Sequence, residues 1–453
     1  MTAENEPPLG AAVTPEAIPW PSPTYAWYVV AVLTLAYTCS FIDRQILTLL
    51  IEPIRRDLDI NDTQFSLLGG LAFSIFYTVL GIPLARLADQ TNRRNLMTAG
   101  VAFWSLMTAA SGLARGFWPL FGARVGVGVG EAALSPAAFS LLADYFPRHK
   151  IARAISVYST GVYFGAGLAL MIGGTIIHLV SNAPTQFVPL VGEVRPWQLT
   201  FLVVGLLGLP IALLMTTIRE PQRRGAIAAN AQQASSWPAL RAFMGKNTRA
   251  LVCHIGAFTL YGIAIGTYFF WTPSFMMRTY GWDATRAGLT VGALLLVFGT
   301  LGVYAGGWLA DRLARAGHLD AILRAALIGM ACGVPLILLT PLITDSQWVL
   351  VSLAGAIFFL AFPQGLPAAA LQVMTPNALR AQMTAIYFFI GNLIANGLGP
   401  MFSGLITDYV FADPAMLRFS MAIVCAIAAP LGVILLYFGL PAYRASAARA
   451  QQA

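Results

Sequence analysis

Four charged side chains stand where the sequence is otherwise apolar: Asp43 and Arg44 within SFIDRQIL, and Arg124 and Glu131 within ARVGVGVGEAALSPA. A charge deep in a membrane-spanning helix costs at least about 2.5–3.5 kcal/mol on insertion scales, so each of the four needs a reason. Arg124 and Glu131 are two helical turns apart, about 10.5 Å of rise, and share a face; Arg44 points about 100° away from Asp43. Burial favours the neutral carboxylic acid and a nearby arginine favours the carboxylate, so an arginine that changes partner changes proton affinity. The guanidinium fork also fits an anionic headgroup. The competing use of the same residues is a static ion-pair cluster that staples two helices.

The elements that must hold these residues follow from composition. Of the 453 residues 58% are hydrophobic and 10% charged, and mean hydropathy is +0.71; a soluble domain carries roughly 25% charge. Apolar runs long enough to cross about 30 Å of hydrocarbon recur near 26–50, 64–86, 95–115, 118–142, 151–178, 197–219, 248–272, 285–310, 320–341, 347–372, 380–408 and 415–440. These runs lack the alternating polarity of barrel strands, so they are expected as helices, which satisfy their own backbone in lipid. The expected class is all-α integral membrane, with twelve spans in two six-helix bundles. Its parts are a disordered tail at 1–25, a bundle at 26–219, a central loop at 220–247, a bundle at 248–440 and a second tail at 441–453.

Residues 1–25 lack Lys and Arg and hold Glu4, Glu6, Glu16 and several prolines, which reads as a tail and not as a signal peptide. The net charge of +8 would suggest nucleic acid in a soluble protein. Here Lys and Arg concentrate in alternate connecting segments, such as those holding Arg86, Arg93 and Arg94 or Arg219, Arg223 and Arg224. By the positive-inside rule both termini are expected in the cytoplasm, with the chain in the cell's inner membrane. Cys39, Cys253, Cys332 and Cys425 lie singly in apolar runs, without metal spacing, and read as small buried hydrophobes. No nucleophile–base pair or metal cluster falls at the depth of the spans, which argues against an enzyme. No cofactor beyond a coupling proton is expected, and a monomer suffices.

Residues 85–94, ARLADQTNRR, are echoed by residues 307–316, GWLADRLARA, at the equivalent turn of each half, so that Asp89 aligns with Asp311, Gln90 with Arg312 and Arg93 with Arg315. A looser echo links Pro147–Arg153 with Pro376–Arg380. These stretches resemble the loop signature GxxxD(R/K)xGR(R/K) of the major facilitator superfamily. The second copy keeps Gly307, Asp311, Arg312 and Arg315, whereas the first has Ala85, Gln90 and Asn92 at three of the signature positions. An Asp at such a turn can hold the positive N-terminus of a neighbouring helix, so Asp89, Arg93, Arg94, Asp311, Arg312 and Arg315 are expected to gate one side. The competing reading is that the bases anchor loops to headgroups.

Residues 40–89 and 123–147 further resemble the Spinster family of lipid transporters, in motifs that combine Asp43–Arg44 with Arg124 and Glu131. The resemblance implies that the first and fourth helices line a cavity, that Asp43 and Glu131 are protonation sites, and that Arg124 is their partner or the headgroup ligand. It implies proton-coupled alternating access for an amphiphilic anion such as a lysophospholipid or sphingosine-1-phosphate. Gly126, Gly128 and Gly130 are not a nucleotide loop; they permit close helix approach, as do Gly161, Gly165, Gly167, Gly173 and Gly174. The latter set resembles the glycine-rich fifth helix of antiporters. In the second half the interior candidates are uncharged: Tyr261, Thr267, Tyr268, Gln364, Gln372, Asn392 and Asn396, beside aromatics that include Tyr387. Tyr268, Tyr387 and Asn392 are expected to meet cargo together with Arg124 and Glu131; His254 is expected at the membrane interface. A multidrug or small organic-anion carrier on the same fold, and an uncoupled lipid scramblase or receptor, are the alternatives.

Overall fold

The computed structural model describes residues 20–159, 161–181, 186–188, 192–223, 237–376 and 379–452. The expected tail at 1–25 lies mostly outside these residues. Among the described residues eleven helices are long and apolar enough to cross a membrane: α1 (Pro23–Leu49), α2 (Asp62–Ala88), α4 (Phe117–Tyr145), α5 (Arg153–Leu179), α6 (Pro196–Met215), α7 (Thr248–Tyr280), α8 (Ala284–Arg315), α9 (Ala321–Leu342), α10 (Trp348–Met374), α11 (Gln382–Phe411) and α12 (Pro414–Arg449). The twelfth, α3 (Arg93–Ser111), begins on two arginines and buries Ser105, Thr108 and Ser111, which lower its hydropathy; it packs against α4 and α6. All twelve expected spans are therefore helices, with ends within a few residues except in the longest, α7, α8 and α12, which outrun the apolar runs.

Because the helices alternate in direction, both described termini lie at one end of the molecule, here the near end. The central loop carries a short helix, Trp237–Lys246. The internal repeat is visible in three dimensions in the fourth helix of each half, while α2 and α8 each carry a π-bulge, at Leu67–Leu71 and at Leu295–Gly299. In the α4 of the first half the helix breaks at Ala132–Ala133 and restarts at Leu134; in α10 of the second it breaks after Ala361 and restarts at Leu366. Pro136 and Pro367, in the first turn after each break, supply no amide to the preceding turn.

The expected glycine contacts are present. A Cβ on Gly128 would stand 2.9 Å from Phe73 O, and one on Gly167 would stand 2.6 Å from Gly292 O, so α4 meets α2 and α5 meets α8 at backbone distance. Cys39, Cys253 and Cys425 are buried as expected, whereas Cys332 is exposed on the helix surface.

The apolar cores divide unevenly. One core joins the far-end residues of the first half, among them Leu49, Phe65, Leu120 and Phe201, to most of the second half. A separate one lies wholly within the near-end portion of the first half, from Val29 and Trp104 to Leu141 and Met215. The two halves are thus fused at the far end and individually packed at the near end.

Candidate functional site

Asp43, Arg124 and Glu131 are 1%, 1% and 2% exposed. The break in α4 falls directly after Glu131, at mid-depth, and α1 brings Arg44 to it from across the bundle. Arg44 Nε donates to Glu131 Oε2 at 2.7 Å, and Arg44 Nη2 donates to the same oxygen. The Arg44 guanidinium lies 4.4 Å from the Phe73 ring centroid, 5.1 Å from Tyr77 and 5.2 Å from Phe41, so three rings hold it over their negative faces. Its side chain is 25% exposed while that of Glu131 is 1% exposed. Arg44 is therefore the member of the cluster that reaches outward.

Arg124 shares a face with Glu131, yet its nearest bond is Nη1 to the backbone carbonyl of Asp43 at 3.3 Å. Among the described residues, Arg124 Nε, Asp43 Oδ1 and Glu131 Oε1 have no hydrogen-bond partner. The four charges still lie in one another's field and sum to zero, two acids against two bases. The 100° offset between Asp43 and Arg44 is what sends one toward Arg124 and the other toward Glu131. Chemically, the arrangement holds a carboxylate on one arginine, a second arginine with unused donors, and a second carboxylate beside it. A proton on Glu131 removes the charge that fixes Arg44.

The second half contributes no ionisable acid at this depth among the described residues. Tyr268, expected to face cargo, is 3% exposed and donates its hydroxyl to Ile337 O of α9 at 2.7 Å. Tyr261 and Thr267 likewise donate to Phe359 O and Gly399 O. Asn392 is half-buried in the π-bulge of α11 and accepts from Asn396 at 3.2 Å. Tyr387 is half-buried against His254. His254 itself is not interfacial: it is 1% exposed, packed on Phe258 and Tyr387. Gln364, in the break of α10, accepts from Tyr163 of α5 at 3.3 Å and so ties the halves at mid-depth.

The expected gate residues separate into two groups. Arg93 is 1% exposed and binds Asp144 at 2.6 Å, Glu220 at 2.7 Å and Ser140, all within the first half. Arg94 holds the carbonyls of Thr216 and Ile218 and the side chain of Asn95. They fasten α3 to α4 and to the segment after α6 in this state, in which the near ends of the two halves are packed separately. Asp311, Arg312 and Arg315 are exposed; Arg312 lies over Trp308 of its own helix and Arg315 bonds Asp311 O. The side chain of Asp89 lies outside the described residues.

Sequence reasoning missed a polar cluster at the far end. Arg278 of α7 donates to Glu52 at 2.6 Å and, through both Nη atoms, to Asp62 at 2.6 and 2.7 Å. Arg55 adds a contact to Asp62 at 3.0 Å, and Asp408 of α11 accepts from the backbone of Asp62 and Thr63. One signal was legible: Asn61 and Gln64 form a capping box that fixes the start of α2.

Two repeated six-helix bundles that meet along a seam holding buried ionisable groups define an integral membrane transporter, not an enzyme. Residues 33–400 match the profile of the Major Facilitator Superfamily, and the chain belongs to that family. Within it the chain is Spinster-like. It matches a crystal structure of a bacterial homolog to the human lysosomal transporter Spinster, in an inward-facing and unoccupied conformation, with a TM-score of 0.77 and 26% identity over 95% of this chain and 99% of that one. It is 30% identical to human protein spinster homolog 1 over 266 residues, 57% of this chain, and spans about half that relative's length, 47%. It is also 26% identical over 432 residues to an MFS-type efflux pump of Mycolicibacterium smegmatis, covering 93% of this chain and 94% of that one.

Proposed function

We propose that this transporter moves amphiphilic anions of the lysophospholipid or sphingosine-1-phosphate kind by proton-coupled alternating access, across an inner membrane with both termini in the cytoplasm. The observation that carries the reading is the Arg44–Glu131 pair. A carboxylate shielded from water holds an arginine that is itself partly exposed. Protonation of Glu131 releases Arg44, and an anionic headgroup takes its place as the arginine's partner. Arg124, with donors to spare beside Asp43, is the second headgroup ligand. The near end is then the cytoplasmic side, and its unjoined cores correspond to an inward-facing state. Substrate class and coupling are supported by the Spinster-like fold and by the charged cluster at the positions that carry the resemblance.

The experiment is uptake of a labelled lysophospholipid into proteoliposomes, with and without an imposed pH gradient, by wild type and Glu131→Gln. Gradient-driven uptake by wild type that disappears in Glu131→Gln is expected. Lipid uptake indifferent to the gradient in both would remove the coupling. Absence of lipid uptake by wild type would favour the second reading, a drug or organic-anion carrier, to which the full-length similarity to an efflux pump points.

A further inference from the structure

At the far end, the N-terminus of α2 belongs to the first half but is capped from the second. The first turn of a helix has amides without intrahelical partners. Asn61 accepts from the amide of Gln64 at 2.8 Å, its own half's cap. The two preceding amides are taken by Asp408 of α11: Thr63 N donates at 2.6 Å and Asp62 N at 3.3 Å, and the Thr63 hydroxyl donates at 2.7 Å. Ser66 Oγ donates to Pro400 O one turn further along the same seam. A carboxylate on a helix N-terminus is favoured by the dipole as well as by the bonds.

The neighbouring ion pairs differ in one respect. If Arg278 withdraws with the second half, Asp62 keeps Arg55 of its own half at 3.0 Å. The amides of Asp62 and Thr63 have no such replacement among the described residues, because Asn61 is already committed to Gln64. Asp408 therefore supplies a bond that exists in the far-end-closed state and has no protein substitute when the halves part. Water can solvate both the amides and the half-buried carboxylate, so the contact is strong enough to bias the equilibrium and open to release.

We propose that Asp408 is the far-end latch of the transport cycle, a helix cap lent by one half to the other. It acts on the same pair of helices, α2 and α11, whose other ends carry Asp89 and Arg380. The inference rests on the alternating-access reading but on neither proton coupling nor the identity of the cargo.

The test is a distance measurement on the full chain in lipid nanodiscs. Spin labels replace the exposed far-end tryptophans at Trp118→Cys in the first half and Trp348→Cys in the second, in a background in which the exposed cysteine is removed as Cys332→Ser. Double electron–electron resonance reads the fraction with parted far ends. Asp408→Ala is expected to raise that fraction relative to closed by about fivefold, and Thr63→Val, which deletes one of the three bonds, by a smaller factor in the same direction. Asp413→Ala is the control, since Asp413 caps Ala415 within its own half, and it is expected to leave the distribution at wild type. Should Asp408→Ala not fold, Thr63→Val decides. A distribution unchanged in the folded latch variants, or shifted equally by Asp413→Ala, would overturn the proposal. Failure of gradient-driven transport in the uptake assay would leave this distance shift unaffected, so the two readings fail separately.

Discussion

The two halves share a topology, a loop repeat and a proline-marked break in the fourth helix of each, yet they bury different chemistry at that break. In the first half the break positions Glu131 against Arg44, with Asp43 and Arg124 beside them. In the second the corresponding stretch offers Gln364 to Tyr163, and its tyrosines donate to backbone carbonyls of neighbouring helices. The same scaffold thus supports an ionisable cluster in one half and neutral helix-to-helix bonds in the other. The first half carries the part that can change charge, and the second is the wall against which it works. Substitutions in the two halves should therefore differ in kind as well as in size.

The largest effect is expected from Glu131→Ala. It leaves the partly exposed Arg44 and the buried Arg124 facing one carboxylate, and removing one partner of a fully buried pair costs about 3–5 kcal/mol, less where water reaches Arg44. Thermal unfolding of the purified protein should show a large loss of stability, whereas Glu131→Gln, which keeps an acceptor and the volume, should retain most of it. Equal stability of the two variants would mean that the charge is not what holds the cluster together.

Next is Arg44→Lys. Nε and Nη2 meet one carboxylate oxygen, and the planar cation lies over three rings; a lysine reproduces neither the fork nor the stacking. Uptake is expected to fall by about tenfold or more, a loss of roughly 1.4 kcal/mol or more in the rate-limiting step. Uptake at the wild-type rate would return the leading role to Arg124.

A smaller change is expected in the second half. Tyr268→Phe removes one neutral hydrogen bond to Ile337 O, worth about 1 kcal/mol of stability, and should leave the substrate dependence of uptake unaltered. A several-fold change in apparent affinity would instead make Tyr268 a cargo contact and blur the distinction between halves.

The smallest effect concerns Asp320, a buried carboxylate held by two partly exposed arginines. Burial pushes the Asp320 carboxyl up, but hydrogen bonds and charge from Arg444 and Arg324 outweigh it and hold the group below the usual carboxylate range. A depressed carboxyl contributes stability above its ordinary value and loses it as pH falls through the depressed one. Asp320→Asn should therefore cost less than about 1 kcal/mol near neutrality, after solvent screening, and nothing once wild-type Asp320 is itself protonated. A deficit that persists in strong acid would assign the loss to packing.

Much of this was readable along the chain. The apolar runs located the helices because lipid demands continuous hydrophobic length, and ARLADQTNRR against GWLADRLARA located the two halves. The cost of intramembrane charge singled out Asp43, Arg44, Arg124 and Glu131. Pairing was not readable: helical spacing places Arg124 and Glu131 on one face but carries no information on how α1 rotates against α4, and that rotation gives Glu131 to Arg44. The far-end cluster was hidden for the same reason. Asp408 and Asp62 are 346 positions apart, and each looks alone like an ordinary helix-end residue. The partners of Arg93 were hidden likewise, because its burial against Asp144 and Glu220 depends on how α3 packs.

The most direct test of the central claim is proton movement itself. A pH-sensitive dye trapped in proteoliposomes would report proton flux when a lysophospholipid gradient is applied without any imposed pH difference. A flux in wild type that vanishes in Glu131→Gln is expected. Equal flux in the two, or lipid movement in wild type with no proton flux, would contradict it.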